Sequence, residues 1–191
     1  MRASLNPASA LRRLCVQGAL VALALSLAPA AVGAELGSER GIKAAFVTKF
    51  IGYVEFPGPA SAAAGPLVIG VIGADDIAGE LARITGGRGI NGRAVSIRTM
   101  DSADRLDGID VLFVGLGESD RAERLLRAAA ARNILTITEF DRALRQGSVI
   151  NFRIVDERVR FEVSLAAAEK AHLKLSSRLL SVAYYVDKGE R

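Results

Sequence analysis

The chain has 191 residues, of which 50% are hydrophobic, with a formal net charge of +4 and a single cysteine. This length suits one domain with a hydrophobic core. Residues 1–34 contain three arginines and no acidic residue, so the charge without them falls to +1, which excludes the strongly basic footprint of a nucleic-acid-binding protein.

The first 34 residues have the three-part pattern of a secretory signal peptide. Three arginines form a basic start, residues 14–27 carry no charge, and small residues suited to cleavage follow. This run is shorter than the roughly 20 residues that a spanning helix needs, so a membrane anchor is the weaker alternative. We expect a signal peptide over residues 1–34 and a periplasmic domain over residues 35–191 that does not span the membrane. The only cysteine lies in the leader, so no disulfide is expected afterwards.

The predicted domain begins with an amphipathic helix followed by a buried strand. Apolar residues recur at helical spacing from Ser38 to Glu55, and Pro57 ends the pattern. Lys43 falls off the apolar side, where it lies either on a solvated helix face or against an acidic partner. After a linker, residues 67–72 (LVIGVI) are apolar on both faces, as in a central strand of a parallel sheet.

Glycine-containing turns follow two predicted strands, which is where α/β folds often bind ligands. Gly73 and Asp75 follow the first strand, and Gly115 and Gly117 follow the second, over residues 110–114. Neither turn completes a G-x-G-x-x-G pattern, and Asp75 would repel an anion. A small-ligand site at these four residues therefore stays open beside the simpler interpretation, turns that start helices.

The remaining elements continue the alternation of strands and helices. A helix is expected after Ser119 or Asp120, a strand over residues 134–138, and a short helix over residues 139–146. This order predicts a single-domain α/β sandwich with a mostly parallel central sheet and helices on both faces. A C-terminal antiparallel hairpin and a closing helix complete the expected fold.

The hairpin is the most regular pattern of the chain. Apolar and polar residues alternate over residues 150–154 and 159–165, which is typical of half-buried strands. A two-residue turn at Asp156 and Glu157 puts every apolar residue on one side. The expected pairs are Ile150 with Val163, Phe152 with Phe161, and Ile154 with Val159.

The same register collects polar residues on the other side of the hairpin. Asn151 lies opposite Glu162, and Arg153 lies opposite Arg160. These four residues form either a solvated sheet face or a surface that binds a partner. They are the candidate partner-binding residues of the chain.

Beyond the hairpin, the pattern predicts a closing helix. Ser176 or Ser177 can cap it, and its apolar side would contain Leu179, Leu180, Ala183 and Tyr184. The only histidine, His172, precedes this helix without a second histidine or a cysteine nearby. It therefore makes a poor metal site, and no nucleophile elbow accompanies it. We predict no catalytic residue, no metal site and no cofactor.

Two runs of the chain, IKAAFVTKFIGYVEFP and INFRIVDERVRFEVSLAAAEKAHLKLSSRLLSVA, resemble the YfiR family of small periplasmic proteins. The resemblance covers nearly the whole predicted domain. The chain departs from the family at Phe56, where Trp is common, and at Ser164, where Asn is common. Some members also carry disulfides, and redox sensing of that kind is not carried over to a chain without cysteine after Cys15.

The resemblance implies a periplasmic regulator. Such a protein binds and represses the periplasmic sensor part of a membrane-bound diguanylate cyclase, which lowers cyclic-di-GMP and biofilm formation. The implied partner is an inner-membrane diguanylate cyclase or the periplasmic domain of a sensor kinase, with a homodimer left open and no nucleic acid expected. The alternative from the residues is a periplasmic sensor that binds a small ligand and acts on a membrane sensor kinase. The chain is not expected to be an enzyme.

Overall fold

A computed structural model describes residues 30–58, 65–101 and 106–189, with side chains described from Glu39 onward. The compact unit described below is Glu39–Arg191, and α1 begins before it, at Ala30. The predicted signal peptide falls almost entirely outside the described residues. Within them, no helix combines the length and the hydropathy that crossing a membrane requires.

The described elements alternate along the chain. The helices are α1 (Ala30–Ile51), α2 (Asp75–Thr85), α3 (Ala122–Ala130), α4 (Leu165–Lys170) and α5 (Ser177–Val182), with a 3-10 turn at Leu116–Glu118. The strands are β1 (Val54–Glu55), β2 (Leu67–Ile72), β3 (Val95–Thr99), β4 (Val111–Val114), β5 (Leu135–Thr138), β6 (Ile150–Val155), β7 (Arg158–Ser164), β8 (Lys174–Leu175) and β9 (Tyr185–Asp187).

Most strands belong to one sheet with the order β3-β2-β4-β5-β6-β7-β9. The first five run parallel, β7 is antiparallel to β6, and β9 is parallel to β7. The first five strands follow a doubly wound order, in which β3 lies on one side of β2 and β4 with the later strands lies on the other, so the strand order switches between β2 and β4. The predicted α/β class, with a mostly parallel sheet and an antiparallel hairpin, is confirmed. A separate small sheet pairs β1 with β8.

The hairpin of β6 and β7 has the predicted register. Phe152 pairs with Phe161, and Asn151 pairs with Glu162. The turn residues Asp156 and Glu157 both have positive φ, 49° and 58°, which is the geometry that a two-residue hairpin turn requires. Ile154, two residues nearer the turn than Phe152, is 50% exposed rather than buried, because it lies past the aromatic cluster that covers the middle of the hairpin.

Helix α1 fixes the hairpin to the sheet through phenylalanine side chains. The ring of Phe50 lies 4.7 Å from that of Phe161 and 5.7 Å from that of Phe152, measured between centroids. Phe46, one helical turn earlier, lies 5.8 Å from Phe161. The apolar side of the hairpin is therefore closed by α1, as the helical spacing of these residues predicts.

The opposite face of the sheet has its own hydrophobic layer. Helix α3 buries Ala122, Leu125, Leu126 and Ala129, which recur at helical spacing. Successive residues of a strand point to opposite faces of the sheet. In β2 and β4, one set of alternate residues packs in the cluster that contains the α1 phenylalanines, and the other set packs with α3. Helices therefore cover both faces of the sheet, as predicted. Neither Ser119 nor Asp120 caps α3, because the 3-10 turn intervenes and Arg121 occupies the cap position.

The helix predicted over residues 139–146 is absent, and this segment is a series of turns. Phe140 and Ala143 are buried against the α3 layer, and Arg142 between them has a φ of +63°, which an α-helix does not permit. The spacing of the apolar residues fits a helix, but turns bury the same two side chains, Phe140 and Ala143.

Both ends of the domain also differ from the predicted helices. Helix α1 stops at Ile51 rather than Glu55, because Val54 and Glu55 pair with β8. The closing helix starts at the predicted cap, where the Ser176 hydroxyl accepts a hydrogen bond from the N–H of Arg178, but it ends at Val182. Beyond it, the N–H of Tyr184 donates to the carbonyl of Phe161 at 2.8 Å, and the chain joins the sheet as β9.

Candidate functional site

The outer hairpin face is a group of six β6, β7 and β9 side chains that point away from the phenylalanine cluster. It contains the four predicted partner-binding residues, and the pairing of β9 with β7 adds two more. The members of the outer hairpin face are Asn151, Arg153, Arg160, Glu162, Tyr185 and Asp187.

Asn151 belongs to this face but is not solvated. It is 1% exposed and lies against the turn segment 139–147. Its Oδ1 accepts hydrogen bonds from the Thr138 hydroxyl at 2.9 Å and from the N–H of Phe140 at 3.3 Å, and its Nδ2 donates to Glu162 Oε2 at 3.4 Å. The prediction that Asn151 is an exposed polar residue is therefore wrong. Its side chain holds the turn segment and Glu162 in place.

The two arginines of the face have different surroundings. Arg153 is partly buried and forms an ion pair with Asp141 of the turn segment at 3.0 Å. Arg160, directly across from Arg153, is exposed and forms no ion pair within the described residues. The acid that offsets Arg153 is Asp141, which sequence reasoning did not identify, because the contact depends on the path of the turn segment.

A cleft of about 490 Å³ opens on the outer hairpin face. Residues 141–145 form one side of it, and Arg153, Glu162, Tyr185 and Asp187 form the other. The hairpin cleft thus forms between a turn segment and the hairpin strands, which the sequence patterns did not predict to be in contact. It unites Arg153 and Glu162 of the predicted patch with residues outside that patch.

The predicted ligand loops meet between β2 and β4, where the strand order of the sheet switches. The N–H of Gly115 donates to the carbonyl of Ile72 at 2.8 Å, and a Cβ on Gly115 would lie 2.2 Å from the Gly73 carbonyl oxygen. Gly73 also has a φ of +68°. The structure therefore explains why glycine occupies both positions: Gly115 allows a close approach of two backbone segments, and Gly73 adopts a left-handed conformation. Binding of a small ligand here stays a prediction.

The other two residues of that prediction belong to the helical segments that follow these glycines. Asp75 is the exposed first residue of α2, and Gly117 belongs to the 3-10 turn. Acidic residues in the first turn of a helix interact favourably with its dipole.

Lys43, for which the sequence left open a solvated helix face or contact with an acidic partner, is a buried residue. It is 8% exposed, and its Nζ lies 2.5 Å from Glu39 Oε1 and 2.8 Å from Glu139 Oε2. Burial acts to lower the pKa of Lys43, but hydrogen bonds and charge interactions with Glu139 and Glu39 outweigh it and raise the pKa above the usual 10.5. The ion pair with Glu139 ties α1 to the start of the turn segment. Only the i, i+4 spacing of Glu39 and Lys43 was readable from the sequence.

His172 is exposed and has a structural partner. Its Nδ1 lies 2.9 Å from Asn133 Oδ1, and both residues have positive φ. Among the side chains that the structure describes, no group of three His, Cys, Asp or Glu residues is placed to hold a metal ion.

Comparison with known proteins identifies relatives of the chain. A family model described as YfiR/HmsC-like matches residues 40–184. The fold resembles the crystal structure of a conserved domain protein from Vibrio cholerae, with a TM-score of 0.52 and 10% sequence identity over 78% of this chain and 60% of that one. The curated proteins contain no match.

A weaker likeness, with a TM-score of 0.47, links the chain to an ABC domain in complex with L-Trp from Streptococcus pneumonia, at 9% identity over 63% of this chain and 55% of that one. The chain thus spans about 60% or less of the length of these structures. At this identity the Vibrio cholerae structure supports the α/β fold alone.

Proposed function

The chain belongs to the YfiR/HmsC-like family, and we propose that it is a periplasmic regulatory protein that binds and represses the periplasmic sensor part of a membrane-bound diguanylate cyclase. The observation that carries this proposal is the family match over residues 40–184, which includes α1 from residue 40 onward, the hairpin and α5. Repression would lower cyclic-di-GMP and with it biofilm formation.

The proposed contact is the solvated part of the outer hairpin face, at Arg153, Arg160 and Glu162. Arg160 is exposed, whereas Arg153 and Glu162 are partly exposed and each is held by a hydrogen bond within the domain. Side chains that are already ordered lose less conformational entropy when a partner binds. Asn151 is a positioning residue for this contact, since it lies beneath the surface and fixes Glu162.

The hairpin supplies a rigid base for this surface. Its apolar side is packed on the phenylalanines of α1, and its register is fixed by the turn at Asp156 and Glu157. A protein of this kind represses by occupancy: a greater affinity for the inactive arrangement of the cyclase shifts the cyclase toward that arrangement. No chemical step by the regulator is needed.

The experiment that tests the proposed function is capture of the partner from detergent-solubilised membranes, with the purified domain of residues 35–191 as bait. The proposal predicts that a diguanylate cyclase with a periplasmic domain is retained, and that cyclic-di-GMP rises in cells that lack the regulator. Retention of a sensor kinase with unchanged cyclic-di-GMP would instead favour the kinase as the target. The control bait carries Phe161→Ala, which disrupts the base of the hairpin.

A further inference from the structure

The two sides of the hairpin cleft differ in charge. On the turn side, Arg142 and Arg145 are exposed and form no ion pair within the described residues. On the strand side, Glu162 and Asp187 supply carboxylates. The other two charged residues, Arg153 and Asp141, form an ion pair with 3.0 Å between nitrogen and oxygen, so their charges offset each other. The cleft therefore offers free cationic donors on one side and anionic acceptors on the other.

The turn that bears the free arginines is well fixed. Ala143, between them, is fully buried, and the N–H of Arg145 donates to the carbonyl of Arg142 at 3.0 Å. Guanidinium groups bind carboxylates through paired, charge-assisted hydrogen bonds. Two such groups from one short turn suit a ligand that carries a carboxylate.

The strand side suits hydroxyl groups and a sugar ring. Glu162 accepts a hydrogen bond from Asn151 at 3.4 Å and retains further acceptor capacity, and the Asp187 Oδ1 accepts one from the N–H of Gly189 at 3.0 Å. Tyr185 pairs with Glu162 across the strands and is 53% exposed, so its ring forms an apolar surface beside the carboxylates. Among the described residues, the aliphatic side chains that line the cleft are those of Leu144 and the buried Ala143, which disfavours a mainly apolar ligand.

We propose that the hairpin cleft binds a small acidic sugar of the hexuronate class. The carboxylate of the sugar pairs with Arg142 and Arg145, its hydroxyls donate to Glu162 and Asp187, and its ring lies against Tyr185. The volume of about 490 Å³ falls within the roughly 300–1,000 Å³ of small-molecule sites.

The site also gives the proposed regulator a releasing signal. Arg153 and Glu162 line the cleft and belong to the proposed cyclase contact, so a bound sugar acid competes with the cyclase. This second step rests on the proposed function, whereas binding of the sugar does not.

Calorimetric titration of the purified domain with glucuronate and galacturonate tests the ligand site. Glucose, which lacks the carboxylate, and succinate, which lacks the hydroxyls and the ring, should bind at least about tenfold more weakly. The double variant Arg142→Gln, Arg145→Gln should lose affinity for uronates by at least about tenfold, because charge-assisted hydrogen bonds are lost. The matched control is Arg124→Gln, an exposed arginine of α3 outside the cleft, which should bind as the wild type does.

Three results would overturn the proposal: no heat or thermal stabilisation with either uronate, equal affinity for succinate, or equal loss in the Arg124→Gln control. Competition is tested separately, by adding glucuronate to the complex of regulator and cyclase. If the uronate binds but does not displace the cyclase, the ligand site is supported, and the proposal that the sugar and the cyclase share Arg153 and Glu162 is contradicted. Displacement without binding to the isolated domain would contradict the ligand site alone.

Discussion

Truncation of Phe161 to alanine tests the packing that holds the hairpin on the domain. Phe161 is 3% exposed, and its ring lies 4.7 Å from Phe50 and 5.8 Å from Phe46. Loss of a buried phenylalanine ring costs about 3–5 kcal/mol of unfolding free energy, and two aromatic contacts favour the upper part of that range. We expect a loss of about 4–5 kcal/mol, or about 8–20 °C in Tm for a domain of this size. Urea unfolding followed by circular dichroism measures it.

Two substitutions on the same hairpin provide the comparison. Ile154→Ala removes a side chain that is 50% exposed and should cost about 1–2 kcal/mol. Arg160→Ala changes an exposed residue and should alter stability by no more than about 0.5 kcal/mol. If Phe161→Ala costs no more than Ile154→Ala, the ring is not packed between α1 and the sheet, and the structural basis of the outer hairpin face is wrong.

Other predictions follow from buried polar groups and from a close backbone contact. The carboxylate of Glu139 raises the pKa of Lys43 in the folded state. The stability that the charged Lys43 contributes is therefore complete below pH 10.5 and is lost as the pH rises through the higher pKa of the folded state. The difference in unfolding free energy between wild type and Lys43→Met should shrink above pH 10.5, as measured by urea unfolding at graded pH. Asn151→Leu leaves the polar groups around it without partners and should cost about 1–3 kcal/mol, whereas unchanged stability would show that Asn151 is solvated. Gly115→Ala places a Cβ 2.2 Å from the Gly73 carbonyl oxygen and should lower Tm strongly, and a normal Tm would contradict this close approach.

The regular strands could be predicted from the sequence because their patterns are local. The apolar run of residues 67–72 gives a strand buried on both faces, and the alternation on either side of Asp156 and Glu157 fixes the hairpin register. A shift of one residue would have moved every apolar side chain of the hairpin to the wrong face. The parallel sheet followed from the order of these elements.

The candidate site was only partly predictable, because two of its parts come from long-range packing. Residues 139–146 have apolar spacing that fits a helix, yet they form turns that bury Asn151 and bring Asp141 to Arg153. The residues after Val182 were expected to continue a helix, yet they form β9 and bring Tyr185 beside Glu162. Local patterns contain neither contact, so the sequence predicted the polar residues of the hairpin but not the cleft that they line.

The proposed function is tested most directly by the affinity of the proposed partner, the periplasmic domain of a diguanylate cyclase, for the protein carrying Arg160→Glu. Arg160 is exposed and forms no ion pair within the described residues, so its reversal changes the proposed contact without removing an internal bond. With Tm unchanged, we expect that affinity falls by at least about tenfold and that cyclic-di-GMP rises in cells, while Arg124→Glu on α3 affects neither. Wild-type affinity for Arg160→Glu at normal Tm would contradict the outer hairpin face as the contact with the cyclase.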